Sequence, residues 1–228
     1  MEFRRFEPTL FQFLEDLAEN NNRVWFQANK GRYEREVLEP AMGFIRAMRP
    51  GLKRISASFL ASDQRVGGSL MRVYRDTRFG KDKTPYKTNV GIQFRHEAGR
   101  DVHAPGFYVH LAAEECFLAL GLWRPDAESL KRVREAIVDQ PDRWKRTVGE
   151  RKFRQEYVLE GDSLKRTPRD FPADHPLVED LKRTDFIGVC DLRRKDVLSK
   201  EFVERVTTSF ASARGFMRFL CEALRVSY

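Results

Sequence analysis

Hydrophobic and polar positions divide the chain into three stretches of different period. From 9 to 19, Leu10, Phe13, Leu14 and Leu17 recur at helical spacing behind Pro8, which predicts a helix. Asn20-Asn21-Asn22 ends it, and a second helix begins near Arg23 with Trp25, Phe26, Asn29, Tyr33 and Val37 on one side. Pro40 kinks or restarts that helix. Ala41, Phe44, Ile45 and Met48 resume the period until Pro50-Gly51 closes it.

Between 55 and 123 the period falls to two. Residues 55–60 and 70–75 read as strands on either side of a Gly67-Gly68 turn. Val90, Ile92 and Phe94 alternate with polar neighbours, as do Phe107, Val109 and Leu111, so 88–95 and 107–111 are strands. Residues 116–123 are apolar on both faces and predict a covered central strand. Short connections favour an antiparallel meander. The last stretch returns to helix: 126–139 behind a capping Asp126, then 141–150 with Trp144 and Val148 inward. Gly161-Asp162 suggests a hairpin between 157–159 and 164–166, and 185–192 is a strand. Val203, Val206, Phe210, Ala213, Met217, Leu220 and Leu224 form a stripe that predicts one helix over 199–225, about 40 Å long. Together these elements predict a single α+β domain over 1–228. A central, mainly antiparallel sheet is flanked by N-terminal helices and a long C-terminal helix.

Composition narrows the class. The apolar run 116–123 is far short of the ~20 residues of a membrane span. The opening residues lack the apolar stretch of a signal peptide. The 3 cysteines (Cys116, Cys190, Cys221) have no ligand spacing and read as reduced thiols of a cytoplasmic protein. These features argue against membrane, secreted, fibrous and zinc-finger classes.

Charge adds a location. The net charge is +8, and it is uneven. Segment 72–87 holds 6 basic residues against Asp76 and Asp82, and segment 124–154 holds 10 basic residues against 6 acids. The second alternates in sign along helical sequence and reads as a solvated face. The first does not. Arg72, Tyr74, Asp76 and Arg78 share one face of an extended chain, which sets two guanidiniums around one carboxylate. Lys81, Lys83 and Lys87 add charge, Tyr86 is placed to stack on a base or sugar, and Asn89 follows. Two readings stay open: an anion site, or an ion-pair network bracing an irregular loop.

The pattern Arg72-x-x-Arg75-Asp76-x-Arg78-Phe79-x-x-x-Lys83-x-Pro85-Tyr86-Lys87-x-Asn89 resembles the signature of a bacterial family catalogued as domain of unknown function 2461. Phe11-x-Phe13-Leu14-x-x-Leu17 and Asn21-Asn22-Arg23-x-Trp25-Phe26-x-x-Asn29 resemble its N-terminal block. Pro105-Gly106-x-Tyr108-x-His110, Phe117, Gly121 and Trp123 resemble its middle block, with Ala113 and Ala119 as departures. The resemblance implies no established activity.

Among other candidates, His96, His103 and His110 stand at equal spacing, but in strand–loop–strand sequence that spacing does not align them. His110 shares a strand face with Tyr108 and lies near Glu114 and Glu115, as an acid/base, a phosphate contact or a hydrogen-bonded surface histidine. Gly67-Gly68-Ser69 lacks a phosphate-loop pattern, no Gly-x-Ser-x-Gly elbow occurs, and no metal-ligand spacing is present. Three functions follow as expectations. The first is a binder of a phosphate-bearing ligand, nucleotide or nucleic acid through Arg72, Arg75, Asp76, Arg78, Lys83, Tyr86, Lys87 and Asn89. The second is a phosphoryl- or phosphodiester-processing enzyme with His110 as acid/base. The third is a structural or partner-binding protein. No cofactor and no oligomeric state is implied.

Overall fold

The computed structural model describes residues 3–78, 82–99 and 105–228. Phe79, Lys81 and His103 lie outside the described residues. Helix α1 (Thr9–Glu19) buries Leu10, Phe11, Phe13, Leu14 and Leu17. The three asparagines after it divide the work. Asn20 bonds back to the Asp16 carbonyl at 2.9 Å. Asn22 caps α2 (Arg23–Ala28) by accepting from the Trp25 N–H. Asn21 reaches across the molecule, as described below. Helix α3 (Lys30–Tyr33) passes through a π-helical turn (Glu34–Leu38) into α4 (Glu39–Ile55).

Helix α4 runs straight through Pro50-Gly51, where the sequence pattern predicts a stop. An interior proline costs about 3 kcal/mol. Gly51, Leu52 and Ile55 continue the buried stripe of Phe44, Ile45 and Met48. Burying Leu52 and Ile55 contributes roughly 1.5–3 kcal/mol each, which outweighs that cost. The strand expected at 55–60 therefore shrinks to β1 (Phe59–Leu60).

The sheet is six-stranded and antiparallel throughout, in the order β1-β2-β3-β4-β6-β5. Strands β2 (Asn89–His96), β3 (Gly106–Ala112), β4 (Cys116–Leu122) and β6 (Phe186–Leu192) fall where alternation places them. Phe94, Phe107, Val109, Leu118, Leu120 and Phe186 point into a core shared with α1, α4 and the C-terminal helices. Phe117 and Ala119 remain half-exposed, so β4 is not covered on both faces as its apolar run predicts. The expected hairpin at Gly161 does not form. Strand β5 (Val158–Glu160) pairs with β6, and Ser163 bridges to Arg183. Asp185 directs this: its carboxylate accepts from the N–H groups of Asp162 and Arg124.

Asp126 caps α5 (Ala127–Asp139) by accepting from the Ser129 N–H at 2.7 Å. Helices α6 (Pro141–Gly149) and α7 (Arg151–Glu156) follow, with Trp144 and Phe153 buried. A short α8 (Val178–Lys182) precedes β6, and α9 (Arg194–Val197) follows it. The long C-terminal helix is in fact two, α10 (Phe202–Ser212) and α11 (Arg214–Ala223), broken at Ala213. Helix α10 packs on α4 and α7, whereas α11 packs on α5, α6 and β4. One straight rod cannot follow both surfaces.

Candidate anion-binding site

Residues 70–78 and 82–89 form an irregular arm alongside β2. Leu70 bridges to Ile92 and Tyr74 to Tyr86, so the strand expected at 70–75 is reduced to isolated bridges. The Met71 N–H donates to the Gly91 carbonyl, Arg75 N–H to Pro85, and Lys87 N–H to Val73. The arm is fastened from below. Asn21 accepts from the Tyr86 N–H at 3.1 Å and donates to its carbonyl at 2.9 Å. The Tyr86 ring stacks on Phe26 at 4.0 Å and is 2% exposed. Tyr86 is therefore an anchor in the core, not the stacking surface its position among cations suggests. The two sequence blocks 21–29 and 85–89 meet here.

Most of the charges are spent on the arm itself. Arg78 forks onto Asp76 through two bonds of 2.9 and 2.7 Å, which hold the Asp76 carboxyl far below the usual carboxylate range. Arg72 acts on Asp76 only through its field, so the expected double clasp is a single one. Arg75 reaches over the arm to Asp82, and to the Thr84 hydroxyl at 2.7 Å. Lys83 donates to the Thr77 carbonyl at 2.8 Å. These groups are exposed; the Arg75 and Lys83 bonds tie the two limbs of the arm together, and the Arg78–Asp76 pair is a local clasp within one limb.

Lys87 is different. With Tyr86 inward, strand alternation turns Lys87 to the opposite face, beside Asn89. Lys87 is half-buried, and among the described residues its ammonium has no hydrogen-bond or ion-pair partner. Burial, and then the neighbouring Arg72 charge, lower its pKa from 10.5. Arg75, Asp76, Lys87, Thr88 and Asn89 line an open concavity of about 380 Å³. Arg78 and Lys83 do not line it.

Asn89 joins this concavity to the sheet. Its Nδ2 lies 3.5 Å from His110 Nδ1, and the Tyr108 hydroxyl lies 3.1 Å from the same nitrogen. Both neighbours can donate, so Nδ1 accepts and the proton sits on Nε2, which faces Glu115 Oε1 at 3.7 Å. The imidazole stacks on Phe117 at 4.5 Å. Burial lowers the His110 pKa from 6.5, with Glu115 opposing, and pushes the Tyr108 phenol up to about 12. Gly91, opposite His110 in the ladder, makes room: a Cβ there would lie 2.8 Å from the Tyr108 hydroxyl and 3.0 Å from Met71 Sδ. The sequence pattern misses the contributions of Asn21 and Gly91. The signals for Asn21 are its place in the Asn20–Asn22 run and in the N-terminal block of the family pattern, and for Gly91 a glycine inside an alternating strand. Among the described residues no group of three or more metal-ligating side chains occurs, and the three cysteines are buried and unpaired.

No curated protein and no solved structure matches the chain. A family model does, from α1 into α11, and it takes in the arm, the concavity and the Tyr108–His110 pair. That model is described as a conserved hypothetical protein, DUF2461, and it matches residues 9–219, so the chain belongs to the DUF2461 family.

Proposed function

We propose that the protein binds a phosphate-bearing ligand in the concavity of Arg75, Lys87 and Asn89. The observation that carries this reading is Lys87. A cation that is half-buried beside Arg72, with no carboxylate partner among the described residues, is electrostatically unfavourable in the free protein. A phosphate oxygen removes that penalty. Arg75 retains guanidinium donors beyond its bonds to Asp82 and Thr84, and the Asn89 amide adds a neutral donor. Asp76 also lines the concavity, with its carboxylate held by Arg78.

The test is a thermal melt with and without pyrophosphate at constant ionic strength. At 100 times the dissociation constant a ligand adds ~2.7 kcal/mol, or about 5–10 °C for a chain of this size. Pyrophosphate should raise the melting temperature of wild type and leave Lys87→Met unmoved. A wild type indifferent to pyrophosphate counts against the reading.

A second reading, phosphoryl or phosphodiester chemistry at the same place, is favoured by the Tyr108–His110–Glu115 series. A neutral His110 whose Nδ1 lone pair already accepts from the Tyr108 phenol is arranged to take up a proton. Its test is hydrolysis of a phosphodiester such as bis-p-nitrophenyl phosphate, abolished in His110→Gln. Equal rates in both proteins would exclude His110.

A further inference from the structure

Beside the concavity, on the same face of the sheet, the strands present a second surface. One ladder row runs over four strands, Tyr108 to Ala119 to Val189 to Val158. Tyr108, Ala119 and Val189 are half-exposed and Val158 is 66% exposed. The neighbouring row carries His110 stacked on Phe117. Phe117, Ala119, Ile187 and Val189 neither belong to the core cluster nor lean on it. The solvated face of an antiparallel sheet is ordinarily polar. Here Tyr108, Phe117, Ala119, Ile187, Val189 and Val158 make an apolar and aromatic patch over β3, β4, β6 and β5, edged by the exposed acids Asp191 beside Phe117 and Glu160 beside Ile187, and the Lys87 concavity borders it through Asn89 and His110.

We propose that this face holds the bases of single-stranded nucleic acid whose phosphates run past Lys87 and Arg72. The proposal rests on the anion-site reading and names its ligand. A row of four strands is about 14 Å across, room for more than one base. Sheet faces carrying exposed rings take unstacked bases, while a cationic border takes the backbone. A duplex hides its bases and cannot use such a face. A second copy of this chain fits less well: it would bring another +8 charge, and the same Lys87 and Arg72 border, against the first. An anionic strand with apolar bases satisfies the cations and the apolar row together.

The experiment uses the full chain and a fluorescein-labelled 15-mer of thymidylate, read by anisotropy, with inorganic polyphosphate and a 15-base-pair duplex as comparators. Phe117→Ser and Val189→Asn test the face. Val189 makes no ring contact, so its variant reports even where loss of the His110–Phe117 stack harms folding. The expected result is binding of the 15-mer weakened about tenfold by Phe117→Ser and less by Val189→Asn. The pyrophosphate-induced rise in melting temperature should be unchanged in both. The fluorescence of Trp123, 47% exposed beyond the end of β4, should be quenched by the 15-mer and not by polyphosphate. The inference is overturned if polyphosphate or duplex binds as tightly as the 15-mer, if both variants bind like wild type, or if a self-associated dimer occupies the face. In those cases pyrophosphate still distinguishing wild type from Lys87→Met leaves the anion site standing. If neither pyrophosphate nor the 15-mer binds, both readings fall.

Discussion

Lys87 and Arg78 are neighbours in a basic segment, yet their environments assign them opposite roles. Arg78 has its carboxylate, and Lys87 has none among the described residues. Removing an exposed tie costs little, so Asp76→Ala should melt indistinguishably from wild type, and a large fall would show that the arm depends on that pair. Lys87 links ligand binding to pH. Its proton is held less tightly than usual in the free protein, and a bound phosphate holds it more tightly. Phosphate affinity should therefore weaken as pH rises, beginning below 10.5, and titration calorimetry across pH 7–10 should show proton uptake on binding. His110 carries the reverse linkage for folding. Its folded pKa lies below the 6.5 of the unfolded chain, so the unfolded chain takes up a proton first as the solution is acidified. The stability it contributes is complete above about 6.5 and declines as pH falls toward the folded value. Gly91→Ala tests the cause. Its Cβ displaces the Tyr108 hydroxyl and admits water, so the His110 midpoint in an NMR titration should climb toward 6.5. An unmoved midpoint would mean that Tyr108 does not shield the ring.

Among elements, the helices behind the sheet decide stability. The stripe of α10 and α11 keeps its phase across the break at Ala213, and Val206, Phe210, Met217 and Leu220 are all 0% exposed. Leu220→Ala should cost about 2–5 kcal/mol in urea unfolding. Leu224, half-exposed beyond the end of α11, should lose much less, and equal losses would contradict this packing. Helices α4 and α10 touch through Gly51. A Cβ there would sit 2.6 Å from Thr207 Oγ1 and 2.8 Å from its Cγ2. Gly51→Leu should destabilise by about 1–3 kcal/mol despite leucine's better helix propensity, because the two helices must separate. A stabilised variant would show that this contact has slack.

Over the whole molecule, one hydrophobic cluster runs from Phe6 to Cys221 and joins the N-terminal helices, the sheet and the C-terminal helices. That continuity predicts a single cooperative transition in denaturant with fluorescence and circular dichroism coincident. Two separated transitions would divide the chain into independent units. The charge surplus of 72–87, four positive charges after Asp76 and Asp82 are subtracted, sets a ceiling on electrostatic binding. The salt dependence of oligonucleotide affinity should have a log–log slope no steeper than about −3 to −4, and shallower if the ties at Arg75 and Arg78 persist. A much steeper slope would bring in the basic residues of 124–154.

What the sequence by itself determined is whatever depends on neighbours along the chain. Period-two alternation placed β2, β3, β4 and β6, and helical spacing placed α1, α5 and the C-terminal stripe, because each records which side of an element is buried. The Asp126 cap and the asparagine breaks are likewise local hydrogen bonds. The clustering of candidate site residues within 72–89 was also legible, since charge and aromatic content are counted along the chain. Only the tertiary structure decided what depends on partners distant in sequence. Pro50 stays inside α4 because the residues after it have a core to enter, and the terminal stripe breaks because its halves meet different surfaces. Strand β5 chose β6 over a local hairpin because Asp185 holds the turn. Within the site the same division holds. Tyr86 and Lys87 are adjacent, and one became a core anchor because Phe26 and Asn21, about sixty residues earlier, lie beneath it. The other was turned by strand alternation to the far side of the sheet, where no described acid comes near enough to pair with it.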